Sequence, residues 1–182
     1  TLLGALCIFA LSAPAAAASA SPSPAKAKAS AITAAKSVNV DGYTFVRSIG
    51  GISEYTLDAN GLNVLVMPSH AAPVATVQVT YRVGSRNEVT GTTGGTHLLE
   101  HLMFMGSTHY NETLGNSIDT YLESVGAGFN ATTSLDRTNY YATLGVNDID
   151  AYIAIEADRM RGLLLREESR KSEMTVVRNE YE

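Results

Sequence analysis

His97-Leu98-Leu99-Glu100-His101 places two imidazoles and a carboxylate within five residues. On a helix of 3.6 residues per turn, His97 and His101 stand one above the other and Glu100 lies beside them. Two neutral imidazoles projecting together suit a borderline-soft divalent ion, Zn²⁺ above all. The neighbouring carboxylate is not needed as a ligand and can take a proton from a water that such an ion activates. The order is the reverse of the commoner H-E-x-x-H arrangement. The whole chain has four histidines, and two of them fall in this pentapeptide. The others, His70 and His109, lie in loop-like stretches and read as surface residues.

Two histidines leave a zinc site one protein ligand short, since such sites use three and keep an open position. The candidates are Glu167, Glu168, Glu173, Glu180 and Glu182 near the end of the chain. Glu173 and Glu180 are seven residues apart, on one face of a helix but about 10 Å apart along it. With a metal–oxygen bond of about 2 Å, only one of that pair can readily reach the ion. The other is left to orient a ligand.

The elements that must position these groups follow from patterning. Ile52–Leu57 and Leu62–Met67 are strand-like runs around Asp58-Ala59-Asn60-Gly61, the chemistry of a hairpin turn. Val74–Val83 alternates Ala75, Val77, Val79 and Tyr81 with polar neighbours, a strand with one buried face. A glycine- and threonine-rich loop over 84–96 delivers the chain to the His97 helix, which is expected to end near Gly106. A helix over 116–125, strands over 128–134 and 138–145, and a helix capped at Asn147 or Asp148 follow. In that last helix Ile149, Tyr152, Ile153, Ala157, Met160 and Leu163 are expected to face the core. A final helix covers 169–182. Strands cluster instead of alternating singly with helices, which predicts an α+β fold, an antiparallel or mixed sheet with helices on one face.

Residues 1–20 carry no charge, run through Leu2, Leu3, Leu6, Ile8, Phe9 and Leu11, and close on Ala18-Ser19-Ala20, as a partial secretory signal peptide does. The run is too short and alanine-rich for a stable membrane span. Residues 21–37 are Ala, Ser, Pro and Lys apart from Ile32 and Thr33, and are expected to be a flexible linker. The globular domain is expected over 38–182, incomplete at its C-terminus. Cys7, the single cysteine, lies in the segment to be removed, so the mature chain relies on packing alone. Export without cysteines suits a periplasmic or secreted protein. A net charge of −5 with no basic cluster excludes nucleic acid as a partner. Asn111-Glu112-Thr113 and Asn130-Ala131-Thr132 match the glycosylation pattern, read as coincidence.

Three ordered segments carry a resemblance. Gly94-Gly95-Thr96-His97-Leu98-Leu99-Glu100-His101-Leu102-Met103-Phe104-Met105-Gly106-Ser107 resembles the active-site helix of the pitrilysin/insulinase family of zinc metallopeptidases, the inverzincins. Gly126-Ala127-Gly128-Phe129-Asn130-Ala131-Thr132-Thr133, with Thr138-Asn139-Tyr140-Tyr141 after it, resembles a second family segment, and Glu173 to Glu180 a third. The likeness runs from about Leu57 to the last residue. It implies His97, His101 and Glu180 as ligands of one Zn²⁺, Glu100 as general base and Glu173 as the acid behind a ligand. It also implies Asn130 and Ala131 on an edge strand that receives an extended peptide substrate. The activity implied is hydrolysis of internal bonds in peptides or small unfolded segments. Family members are built from two related halves, so a second homologous half or subunit is expected to complete the active site, and these 182 residues alone to be inactive. The alternative is a non-catalytic homologue serving as a binding or assembly subunit.

Overall fold

The computed structural model describes residues 38–182; the export segment expected over 1–20, with Cys7, and the linker expected over 21–37 lie outside them. The described residues fall into two compact units that divide between Pro68 and Ser69.

The first unit is an antiparallel meander of β1 (Tyr43–Ile49), β2 (Ile52–Leu57) and β3 (Asn63–Val66), in that order. The hairpin of β2 and β3 around 58–61 stands where turn chemistry placed it. Strand β1 was not legible. Its pairing with β2 slips between Phe45 and Arg47, and this irregularity breaks the alternation of two by which a strand is recognised. Tyr55 is buried here, edge-to-face with Phe45 at 5.5 Å.

The second unit is built on a three-stranded antiparallel sheet of β4 (Val74–Tyr81), β5 (Gly128–Thr133) and β6 (Thr138–Gly145), in the order β4-β6-β5. The register pairs Val77 with Ala142 and Val79 with Tyr140 on one side, and Phe129 with Ala142 and Ala131 with Tyr140 on the other. One face therefore carries Val77, Phe129, Ala131, Tyr140, Ala142 and Leu144, while Thr76, Gln78, Thr80 and Thr132 are exposed on the other. Four helices follow the expected order: α1 (Gly95–Leu102), α2 (Ile118–Ser124), α3 (Ile149–Gly162) and α4 (Glu167–Tyr181). Ile118 and Leu122 of α2 and Tyr152 and Ile155 of α3 bury against Ala142 and Leu144. The fold is α+β with helices on one sheet face. Among the described residues no helix is long and apolar enough to cross a membrane.

Helix α3 corrects one expectation. Its buried residues are Tyr152, Ile155, Glu156 and Arg159, whereas Ile153, Ala157 and Met160, assigned to the core on apolarity, are exposed. The helix is turned toward its charged pair. Arg159 Nε donates to Glu156 Oε2 at 2.9 Å, and the guanidinium lies over the Tyr140 ring at 4.2 Å and farther from the Phe104 ring, at 5.4 Å. A guanidinium paired and stacked in this way is tolerated in a core, so hydrophobicity alone picks the wrong face. Burial pushes the Tyr140 hydroxyl well above its ordinary range, against the opposing pull of Arg159.

Candidate metal and peptide site

Helix α1 begins from an unusual start. Gly94 sits at the N-cap with a left-handed φ of 88° and has no side chain to cap with. Glu88 supplies the missing acceptor from the preceding loop: it takes the N–H of Gly94 at 2.9 Å, the N–H of Thr96 at 2.8 Å, and the Thr96 hydroxyl. These donors hold its carboxyl below the usual carboxylate range, the Thr96 hydroxyl first among them. The loop is pinned at its other end by Gly84, where a Cβ would lie 2.2 Å from the Ser134 carbonyl oxygen, so only glycine lets the two backbones approach. The regular helix stops at Leu102. Single tight turns carry the chain through Phe104 and Met105 to Gly106, whose φ of 116° ends the run. The helix is thus shorter than expected, but it keeps His97, Glu100 and His101 on one turn.

Helix α4 packs along α1 and brings two carboxylates to the imidazoles. Glu180 Oε2 lies 3.5 Å from His97 Nε2 and 3.5 Å from His101 Nε2. Glu173 Oε2 lies 3.1 Å from the other nitrogen of His101, Nδ1. The two acids, two helical turns apart, therefore address opposite sides of one ring. The ligating atoms of His97, His101 and Glu180 all lie within 4.8 Å of one another. Four ligands around an ion at about 2.0–2.1 Å stand about 3.4 Å apart on a tetrahedron. Two nitrogens and an oxygen at these separations fit such an ion. An Nδ1–H that donates a hydrogen bond to Glu173 leaves the Nε2 lone pair of His101 facing the same point. Glu167, Glu168 and Glu182 are outside this group.

Glu100 is buried, with 8% exposure, and accepts a hydrogen bond from the Thr133 hydroxyl of β5. It opens with His97, His101, Glu173, Glu180, Asn130 and Ala131 onto one cleft of about 310 Å³ that Phe104 and Met105 also line. All seven residues singled out in the sequence meet there. Strand β5 stands at the edge of its sheet, and the backbone N–H of Ala131 is taken at 2.8 Å by the Asn130 side chain. His109 is exposed, with its ring bonded to Asp158, and His70 is exposed as well. Asn111 is 4% exposed and its amide donates to the Ser107 carbonyl at 2.9 Å, which leaves no access for a glycan. Glu88 and Thr133 were not picked out from the sequence. Thr133 stands in a quoted segment, but nothing local in the chain reveals a hydroxyl that reaches a residue 33 positions earlier.

The family model described as Insulinase (Peptidase family M16) matches residues 63–182. The chain is 34% identical to "Zinc protease PqqE" of Helicobacter pylori, over 66% of this chain and 27% of that protein. It is 30% identical to "Cytochrome b-c1 complex subunit 1, mitochondrial" of Rattus norvegicus, over 76% of this chain and 28% of that one. The crystal structure of pitrilysin superposes with a TM-score of 0.65 at 25% identity, covering 77% of this chain and 16% of pitrilysin. The chain thus spans less than a third of the length of these relatives.

Proposed function

The chain belongs to the insulinase/pitrilysin family, Peptidase family M16, and from that premise we propose that it is the zinc-holding part of a metalloendopeptidase. The observation that carries this reading is the meeting of His97 Nε2, His101 Nε2 and Glu180 Oε2 around one point, with Glu173 behind His101. His97, His101 and Glu180 would hold one Zn²⁺. When bound, the ion supplies Lewis acidity, drawing electron density from a scissile carbonyl and making a neighbouring water a better nucleophile. Glu173 accepts a hydrogen bond from the Nδ1–H of His101 and holds that ring in the tautomer with a free Nε2. Glu100 accepts the proton of the attacking water and returns it to the leaving amine. Asn130 and Ala131 receive the extended peptide along the β5 edge. A second homologous half or subunit closes the cleft, and residues 1–20 direct the chain to the periplasm or outside the cell.

In the complete protein, His97→Ala or His101→Ala is expected to abolish stoichiometric zinc and peptide cleavage together. Glu100→Gln is expected to keep the zinc and lose turnover, because it removes the base and no ligand. Zinc content by elemental analysis beside peptide hydrolysis checks both; loss of metal from a folded Glu100→Gln protein overturns the division of roles. One observation favours the second reading, a non-catalytic assembly subunit: the similarity to a protein named as a subunit of the cytochrome b-c1 complex. A purified protein without zinc and without hydrolysis would favour that reading.

A further inference from the structure

The base proposed above has two oxygens, and the structure treats them differently. Thr133 Oγ1 bonds to Glu100 Oε2 and also lies 3.4 Å from Thr138 Oγ1. Each threonine has one proton to give. The Thr138 hydroxyl faces the Val83 carbonyl at 3.0 Å, an oxygen that can only accept, so its proton is committed there. The Thr133 proton then has the carboxylate as its best acceptor, a charged oxygen against a distant neutral one. Strand pairing fixes both hydroxyls, since Thr133 lies directly opposite Thr138 in the β5–β6 register. Among the described residues, Thr133 is the hydrogen-bond partner of Glu100, and it holds Oε2 alone.

We propose that Thr133 is a positioning residue that decides which oxygen of Glu100 carries the proton. This rests on the reading of Glu100 as general base. With Oε2 accepting from Thr133, Oε1 is the oxygen left without a protein partner among the described residues, on a side chain that lines the cleft, and it is the atom that takes the proton from water. The carboxylic acid so formed keeps its carbonyl oxygen at Oε2, still accepting from Thr133, and holds its O–H at Oε1 for the leaving amine. The same bond thus serves both halves of the proton transfer, and the carboxyl group need not rotate between them. A base that must find its orientation anew in each half loses the positioning on which the rate depends.

The test compares Thr133→Val, which keeps the shape and removes the hydroxyl, with Thr133→Ser, which keeps the hydroxyl, in the complete zinc-loaded protein. The expected result for Thr133→Val is a kcat lower by roughly tenfold to a hundredfold, with KM and zinc affinity unchanged. Thr133→Ser is expected to restore most of kcat. Infrared spectra of the metal-free protein provide a second readout. The Glu100 carboxylate band, identified by its loss in Glu100→Gln, should move in Thr133→Val and stay in place in Thr133→Ser. A wild-type kcat in Thr133→Val, beside an inactive Glu100→Gln, overturns the inference and leaves the peptidase reading standing. Full activity in Glu100→Gln overturns both. If Thr133→Val loses zinc or fails to fold and Thr133→Ser is equally impaired, the hydroxyl is not the cause and the inference fails. An unmoved carboxylate band has the same force.

Discussion

Glu173 and Glu180 are the same side chain on the same helix, but they face different nitrogens of His101. Glu180 stands 3.5 Å from the Nε2 atoms of both histidines and is half-exposed, whereas Glu173 touches Nδ1 and is mostly buried. Their proposed roles predict unequal losses. Glu180→Gln removes a ligand and should weaken zinc binding drastically. Glu173→Gln should weaken it by only about 10- to 100-fold, the usual cost of an outer partner. Competition against a chelator of known affinity measures both; equal losses, or the reverse order, would contradict the assignment. At this scale the sequence was most informative where the chemistry is local. His97, Glu100 and His101 share one turn, and a spacing of seven put Glu173 and Glu180 on one face. Spacing alone left the choice between those two open, because it does not say which imidazole nitrogen each acid meets. Thr133 was invisible because it acts across the fold on a residue 33 positions earlier, and Glu88 because nothing in its type shows that its carboxylate caps the helix six to eight residues on.

Apart from β1, strand and helix order was legible from alternation and turn residues, while the rotation of a helix about its own axis was not. In α3 the buried stripe runs through Glu156 and Arg159, so apolarity misplaced it. That pair gives a prediction about packing. Arg159→Ala strips the partner from a buried carboxylate and should cost about 3–5 kcal/mol, whereas the Glu156→Leu/Arg159→Met double variant should lose far less. Urea unfolding of the three proteins separates the cases. The loop before α1 gives another. The Glu88 carboxyl is held below its ordinary range, so the stability it contributes is complete above the unfolded-state value and disappears as pH falls through the lower folded-state value. Glu88→Ala should therefore be destabilised at neutral pH by about 1 kcal/mol, on the scale of a lost helix cap. Wild type and variant should converge in acid, as unfolding curves from about pH 2 to about pH 7, spanning the ordinary carboxyl range, would show.

Across the whole molecule, the cleft described is open. His97 is 40% exposed and Glu180 49%, and the β5 edge carries no further strand among the described residues. If a second homologous half supplies the opposite wall, most of the rate should depend on it, because positioning and electrostatic stabilisation need a site closed to water. The 182 residues alone are then expected to hydrolyse a fluorogenic peptide far more slowly than the complete protein. Comparable zinc-dependent rates, lost in Glu100→Gln, would refute the need for that half.

The bond from the Ala131 amide to the Asn130 side chain bears on how such an edge survives in solution. A bare strand edge is a template for any other strand, including one from a second copy of the same chain. Here the amide already has a partner, one that is intramolecular, single and replaceable by a swing of one side chain. A peptide brought in by the rest of the cleft can exchange with it at little net cost in hydrogen bonds. A passing strand with no such additional contacts gains nothing by the exchange. If β5 receives a peptide as proposed, Asn130 would act as a threshold against indiscriminate pairing, setting how much else a visitor must bring before the edge takes it.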